Sequence, residues 1–292
     1  MLTLKFEIQI HTNMKPINLA FALLALLAFS SQAQEAYHIT RVSGEITILS
    51  SGKEVVAGDI LAPDEFLLFE SLESYAIAIN NEMRRFQIKI HDNLIDGDPQ
   101  MLTSTVKDAA VPTKMRNLML ARFDPGQQEI SDLRQYFGND KFSVIGDAVN
   151  VPLNNQKYPL SDDKFIVFYY RVDDKPVSKK VGHDQHTLIL ERDKLFTSSA
   201  GSIDGNEISN LAVYEYENTT KRGNEITRFT LVFVDKDELL KEFHTIIPIL
   251  KRQRMGNDEI KKYLIEYYYD FYGATDSKTI DTFTEQIVKS YE

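Results

Sequence analysis

Two histidines three residues apart, His183 and His186, are the first candidates for metal chemistry. Imidazole is a common ligand of zinc and iron, and residues i and i+3 meet on one face of a helix. Residues 187–190 have the pattern of a strand, however, in which i and i+3 point to opposite faces. One hypothesis is therefore a metal-dependent hydrolase that uses both histidines with carboxylates from elsewhere. The other is a polar loop that leads into a strand.

Acidic clusters raise the separate question of calcium. They occur at Asp92/Asp96/Asp98, Asp162/Asp163 and Asp173/Asp174. A calcium loop has oxygen ligands at set positions around an invariant glycine and ends on a bidentate glutamate. Aligning Gly97 with that glycine puts Leu94 at a ligand position and Thr103 at the glutamate position. We therefore interpret these clusters as solvated turns.

Two further groups of side chains could bind a ligand. Lys251, Arg252 and Arg254 could bind phosphate or an acidic partner, or they could complement the dipole at the C-terminus of a helix. The tyrosine run 267–269 could stack on a sugar, but two of its members lie on the apolar stripe of a helix. We assign those two to the core.

Other catalytic motifs are absent from the sequence. It has neither a G-x-S-x-G nucleophile turn nor a G-x-x-x-x-G-K-[ST] phosphate loop. It has no cysteine, which excludes thiolate catalysis, cysteine zinc sites and disulfides. We predict no catalytic residue and no cofactor, and we favour a non-enzymatic role.

The N-terminal segment has the three-part pattern of a secretory signal peptide. Met14 and Lys15 supply a positive start, residues 17–29 form an apolar run, and residues 30–33 end in a small residue. We expect residues 1–33 to be removed, with Met14 as the true start. The mature chain would begin at Gln34 in the periplasm or outside the cell. Without a cysteine to carry lipid, it would not be a lipoprotein.

The charge balance narrows the class of partner. The chain carries 43 acidic and 33 basic side chains, a net charge of −10. Such a chain repels the phosphates of nucleic acids and anionic membrane surfaces. After the signal peptide, no apolar stretch reaches the roughly 20 residues that span a bilayer. We therefore expect a soluble protein that binds neither nucleic acid nor membrane, with an unknown envelope protein as its partner.

The pattern of strands and helices predicts an α+β fold in two domains. Residues 34–90 are predicted to form a small all-β barrel or roll. Alternating apolar residues indicate half-buried strands at 46–48 and 86–90, and apolar runs at 66–69 and 75–79 indicate strands buried on both faces. Residues 91–140 are predicted to be a partly helical linker, with a polar loop at 92–99 and helix-compatible stretches at 100–110 and 113–122.

Residues 141–292 are predicted to form an antiparallel-sheet domain that ends in three helices. The predicted strands are 142–145, 165–170, 187–190, 211–216 and 229–234. The run 165–170 (FIVFYY) is the candidate central strand, and the last two strands are predicted to form a hairpin with a long loop at 218–224. The helices are expected to cover this sheet, with Asp235 capping the first, Pro248 kinking or interrupting it, and Gly273 ending the second.

The N-terminal domain resembles a known family. Gly44-Glu45-Ile46, the stretch 56–61 (VAGDIL), the stretch 64–67 (DEFL) and the stretch 74–79 (SYAIAI) are similar to the periplasmic domain of FecR-type sensor proteins, and the leader resembles that of exported Bacteroidetes proteins. The resemblance covers about 50 residues and implies an SH3-like or FecR-like β domain. No membrane helix or cytoplasmic segment of such sensors precedes it in the sequence, so only the fold is carried over. For residues 141–292 we identify no such resemblance.

These observations favour a non-catalytic exported envelope protein that acts through protein–protein contacts. The metal-dependent hydrolase with His183 and His186 is the first alternative. A sensor or regulatory subunit of a FecR-like signalling system is the second.

Overall fold

The computed structural model describes residues 35–90, 102–113, 129–172, 174–198, 201–202 and 207–291. The predicted signal peptide, the predicted polar loop at 92–99 and residues 114–122 lie outside these ranges. Within them the chain is a mixed α+β protein with six helices. None of these described helices combines the length and the apolar character that crossing a membrane requires.

The N-terminal unit consists of two β-sheets around one core. Its elements are β1 (Tyr37–Ser43), β2 (Ile46–Ile48), β3 (Lys53–Glu54), β4 (Ile60–Leu61), β5 (Phe66–Phe69), β6 (Tyr75–Asn80), β7 (Arg85–Lys89), β8 (Thr103–Thr105), α1 (Val106–Ala109) and β9 (Ala110–Pro112). One sheet has the order β4-β1-β6-β7-β9, and the other has the order β3-β2-β5-β8. Within the described ranges the strands form these two sheets and no closed barrel.

The predicted strands of this unit are present, but one prediction about burial is wrong. The alternation at 46–48 and 86–90 gives strands with one buried face, and β6 is buried along nearly its whole length. β5 was predicted to be buried on both faces, yet Phe66 is exposed. The reason is that only the Leu67 side of its sheet faces the core. Residues 103–112, in the predicted linker, pair with β5 and β7 through β8 and β9.

The second unit contains the larger sheet and the long helices. Its first elements are α2 (Leu133–Phe137), β10 (Lys141–Ile145), β11 (Ala148–Pro152), β12 (Lys164–Val172), β13 (Lys175–Lys180), β14 (Gly182–Asp184), β15 (Thr187–Glu191), α3 (Arg192–Phe196), β16 (Thr197–Ser198) and β17 (Gly201–Ser202). The remaining elements are β18 (Glu207–Glu217), β19 (Arg222–Val234), α4 (Lys236–Arg252), α5 (Asn257–Tyr272), β20 (Ala274–Thr275) and α6 (Ser277–Lys289).

The main sheet of this unit is mixed, which corrects the antiparallel prediction. Its order is β13-β12-β18-β19-β10-β20. The first three pairings are antiparallel, whereas β10 runs parallel to both β19 and β20. Parallel pairing needs a long connection between the strands, and the long segment between β10 and β19 provides one. Strand direction therefore depends on partners far away in the sequence.

The predicted hairpin and central strand are confirmed in outline. β18 and β19 form a hairpin, but both strands are longer than predicted and only residues 218–221 separate them. The prediction of a long loop is therefore wrong. β12 lies inside the sheet, as predicted for 165–170. Its residues Ile166, Phe168 and Tyr170 are buried and alternate with half-buried ones, so one face carries most of the apolar contact.

The helix boundaries follow the predicted capping residues. Asp235 accepts hydrogen bonds from the backbone N–H groups of Asp237 and Glu238 at the start of α4. Gly273 ends α5 with φ of 83°, and a Cβ there would lie 2.5 Å from the carbonyl oxygen of Lys141. Pro248 does not interrupt α4. The Tyr291 hydroxyl contacts the carbonyl of His244 at 3.4 Å, the acceptor that Pro248 leaves without an intrahelical donor.

The three long helices contact both units. Their core includes Ile145 and Val234 of the main sheet, as predicted, and also Ile77 and Ile79 of β6. On α5, the Tyr268 hydroxyl bonds Ser143 of β10 at 2.8 Å, whereas the neighbouring Tyr267 hydroxyl bonds Thr40 of β1 at 2.9 Å. Consecutive residues of a helix point about 100° apart, so these two neighbouring tyrosines reach different sheets. The helices therefore form a layer that the two sheets share.

Candidate functional site

The two candidate metal ligands lie at the tip of a small hairpin. His183 is half-buried in β14 and pairs with Leu188 of β15, while His186 is exposed in the turn that follows β14. Nowhere in the described residues does a group of three or more metal-binding side chains come together. The structure therefore adds no further ligand to the histidine pair.

Several residues of the other candidate groups have structural partners. Asp163 accepts hydrogen bonds from the backbone and hydroxyl of Thr219, which holds the β18–β19 turn. Lys251 lies in the last turn of α4 and donates to the carbonyl of Tyr291 at 2.6 Å. The calcium candidates Asp92, Asp96 and Asp98 lie outside the described residues. Within the tyrosine run, Tyr267 and Tyr268 are fully buried, as assigned.

A buried polar junction joins the N-terminal sheet to the helices. Glu242 of α4, which is 2% exposed, accepts hydrogen bonds from the Tyr267 hydroxyl at 2.7 Å and the Tyr272 hydroxyl at 2.5 Å. Arg41 of β1 reaches the same carboxylate, with its Nε 3.9 Å away. The Tyr267 hydroxyl also bonds Thr40, the residue before Arg41. These contacts fix α4 and α5 against β1.

Burial changes the ionisation of this junction. Loss of water raises the pKa of the Glu242 carboxyl, because it outweighs the nearby Arg41 and the two tyrosine hydroxyls that favour the carboxylate. Burial also raises the pKa of Tyr267 and Tyr272, and the Glu242 charge adds to that rise. For Arg41, burial acts to lower the pKa, but the neighbouring Tyr272 and Glu242 outweigh it and raise the pKa.

The Glu242 carboxyl makes the stability of the protein depend on pH. We expect wild type to be most stable relative to Glu242→Gln below pH 4.5, the ordinary pKa of glutamate. As pH rises from there to the raised folded pKa, the folded state holds a proton that the unfolded state has lost, so wild type loses stability relative to the variant. Urea unfolding of both proteins over a pH series measures this difference. A relative gain by wild type with rising pH would mean that Arg41 outweighs burial.

A second buried ion pair lies beside the first. Arg85 of β7 contacts Asp270 of α5, and their side chains are 6% and 7% exposed. The guanidinium also lies over the ring of Tyr263, 4.5 Å from its centroid. The sequence patterns do not point to this pair, and Glu242 was not predicted from them either. A signal for Glu242 was present, since it lies between Leu239 and Phe243 on the apolar stripe of α4. A charged residue in such a stripe indicates a buried partner.

An open depression of about 340 Å³ lies where α4 and α6 begin. It is lined by Ile145, Lys236, Lys278, Thr279, Thr282, Phe283 and Gln286. Its titratable lining residues are two lysines, with no carboxylate or imidazole among them. An acid and a base of different pKa are what enzymes place together for proton transfer. The depression does not supply such a pair.

The exposed large apolar side chains of the described residues all lie in the N-terminal unit. They are Leu49, Val56, Ile60, Phe66, Leu72 and Val111. Two of them are neighbours on one sheet: the backbone N–H of Leu49 donates to the carbonyl of Phe66 at 2.9 Å, and these side chains are 44% and 55% exposed. Residues opposite each other on neighbouring strands share a face of the sheet.

We call this side of the β3-β2-β5-β8 sheet the outer face, and the strand register defines it. One row of the outer face contains Leu49, Phe66 and Thr105. The next row contains Glu54, Thr47, Leu68 and Thr103. The rows between them, such as Ile48, Leu67 and Ser104, are buried and point into the core. The outer face thus presents apolar and threonine side chains to solvent, as a binding surface does.

Comparison with known proteins gives no family for this chain. No protein-family model matches it, and a search of curated proteins finds no match either.

Proposed function

We propose that this is a non-catalytic exported envelope protein that acts through protein–protein contacts, with the outer face as its contact surface. The observation that carries the proposal is the placement of Leu49 and Phe66, neighbouring large apolar side chains left exposed on a regular sheet. Exposed apolar patches in folded proteins are commonly interaction sites. The signal-peptide pattern and the likeness of the N-terminal unit to the SH3-like or FecR-like periplasmic β domain support the envelope location.

The arrangement of the titratable residues supports the same proposal. In the described residues the most buried ion pair, Arg85 with Asp270, joins a sheet to a helix. Glu242 likewise uses both of its oxygens on tyrosine hydroxyls of α5. Groups used in this way hold the layers of the fold together. This distribution is typical of a scaffold that presents a surface.

The test compares partner capture by surface variants. The bait is the chain from Gln34, immobilised and exposed to envelope extract of its host. Leu49→Ser/Phe66→Ser should lose bound proteins that the wild type retains, because it removes the apolar centre of the face. Val111→Ser, on β9 of the other sheet, is the matched control and should retain them. Mass spectrometry of the eluted proteins measures the difference.

Two results would contradict the proposal. If the double variant retains every captured protein, the outer face is not the contact surface. If the protein shows a hydrolytic activity that His183→Ala and His186→Ala abolish, the non-catalytic assignment is wrong. The N-terminus of the protein from its host tests the location, since export predicts Gln34 and retention predicts Met1 or Met14.

A further inference from the structure

The outer face has an acidic border at one end. The backbone N–H of Glu70 donates to the carbonyl of Glu45 at 3.0 Å, so these two residues lie opposite each other in the row beyond Glu54 and Leu68. Both glutamates are exposed. Like charges directly opposite on neighbouring strands destabilise a sheet. The fold therefore keeps an unfavourable pair next to its most apolar exposed surface.

The surrounding stretch strengthens this negative charge. Residues 44–74 contain seven acidic side chains and one basic side chain. The basic one, Lys53, is already paired with Asp59 at 2.5 Å. At the Thr105 end of the face, Lys107 and Asp108 contribute one charge of each sign. The glutamates of the outer face therefore have little positive charge near them within their own segment.

We propose that the outer face binds an extended basic segment of a partner protein, in which the alternate residues that face the sheet are large apolar side chains followed by lysine or arginine. In an extended chain alternate side chains point the same way, so the spacing of the rows suits such a segment. Its apolar side chains cover Leu49, Phe66 and Leu68, and its cations neutralise Glu45, Glu54 and Glu70. This inference rests on the proposed function, because it specifies the partner of the same face.

Charge also argues against other occupants of the face. Two copies of this chain joined by a twofold axis would place the glutamates of both subunits in one interface without adding a cation to pair with them, because both subunits use the same patch in such a dimer. Nucleic acid and anionic lipid carry the charge that the face already has. A basic peptide segment satisfies both the apolar centre and the acidic border.

Two synthetic peptides of equal length test the inference. One has leucine, leucine, lysine and lysine at successive alternate positions with serine between them, and the other has glutamate in place of every lysine. The full mature protein should bind the lysine peptide and not the glutamate peptide in fluorescence anisotropy. Raising the salt from about 0.05 M to about 0.5 M should weaken binding, because salt screens exposed charges.

Variants of the protein then separate the charge from the apolar contact. Glu45→Gln/Glu70→Gln should weaken binding of the lysine peptide roughly 3- to 10-fold, since exposed ion pairs contribute modestly. Phe66→Ser should weaken it by about tenfold or more, because central aromatic residues dominate interfaces. Glu207→Gln/Glu217→Gln, on β18 of the other unit, makes the same change in charge and should leave binding unchanged. Thermal unfolding confirms that each variant is folded.

Each outcome supports or overturns the inference. If Phe66→Ser loses affinity while neither Glu45→Gln/Glu70→Gln nor salt matters, the basic partner is wrong and the surface stands. Absence of lysine-peptide binding by wild type also overturns the basic partner, and the capture experiment with Leu49→Ser/Phe66→Ser then decides the surface separately. If sedimentation instead shows a wild-type dimer that Phe66→Ser dissociates, the occupant is a second copy and the inference is overturned.

Discussion

Asp270→Leu is expected to lower the free energy of unfolding by about 3–5 kcal/mol, because it leaves the Arg85 guanidinium buried without its carboxylate. Both side chains are nearly inaccessible to water. The remaining contacts of Arg85, with the ring and hydroxyl of Tyr263, do not replace a full negative charge. Urea unfolding followed by circular dichroism measures the change.

The matched control is the double variant Arg85→Met/Asp270→Leu, which removes both charges. It should be clearly more stable than Asp270→Leu alone, since replacing a whole buried ion pair by apolar side chains is often nearly neutral. If Asp270→Leu unfolds within about 1 kcal/mol of wild type, the pair is not a buried link between β7 and α5.

Leu264→Asp is expected to be the most damaging single substitution, with a loss of about 5 kcal/mol or more from burying an unpaired charge and losing apolar contact. Leu264 is fully buried in the core of the helical layer. Ile77 and Ile79 of β6 belong to the same core. The N-terminal sheets should therefore lose stability together with the helices and the main sheet.

Hydrogen exchange measured by mass spectrometry tests this coupling. Protection should fall in β6 as well as in β10. The control Lys262→Asp places the same residue two positions away, where the side chain is 79% exposed, and should change protection little. Full retention of protection in β6 of Leu264→Asp would show that the two units unfold independently.

Local patterns in the sequence were sufficient for most of the secondary structure. The cap at Asp235, the helix end at Gly273 and the strand at 142–145 depend on residues close to each other in the chain. The sequence did not predict that one side of β5 is exposed, because the residues of this strand (FLLF) include no polar side chain that would mark an outward position. Periodicity detects a face only when the two faces differ in polarity.

Long-range partners explain what the sequence did not reveal. Arg85 is one of two charged residues on β7, and nothing near it in the sequence indicates Asp270, 185 residues later. Asp270 lies on α5, where the N-terminal sheet covers it through the contact with Arg85. The acidic border depends on the β2–β5 register, which places Glu45 opposite Glu70. Sequence spacing alone does not give a register between strands so far apart.

The position of β10 has a consequence for the order in which the chain can fold. Both neighbours of β10 in the main sheet, β19 and β20, are made about 90 or more residues later. During synthesis both edges of the apolar strand β10 therefore remain unpaired until nearly the whole chain has left the ribosome. Pairing of such distant segments is slow, and unpaired strand edges promote aggregation. Completion of this sheet is thus a late event, and a factor that shields β10 until then would raise the yield of folded protein.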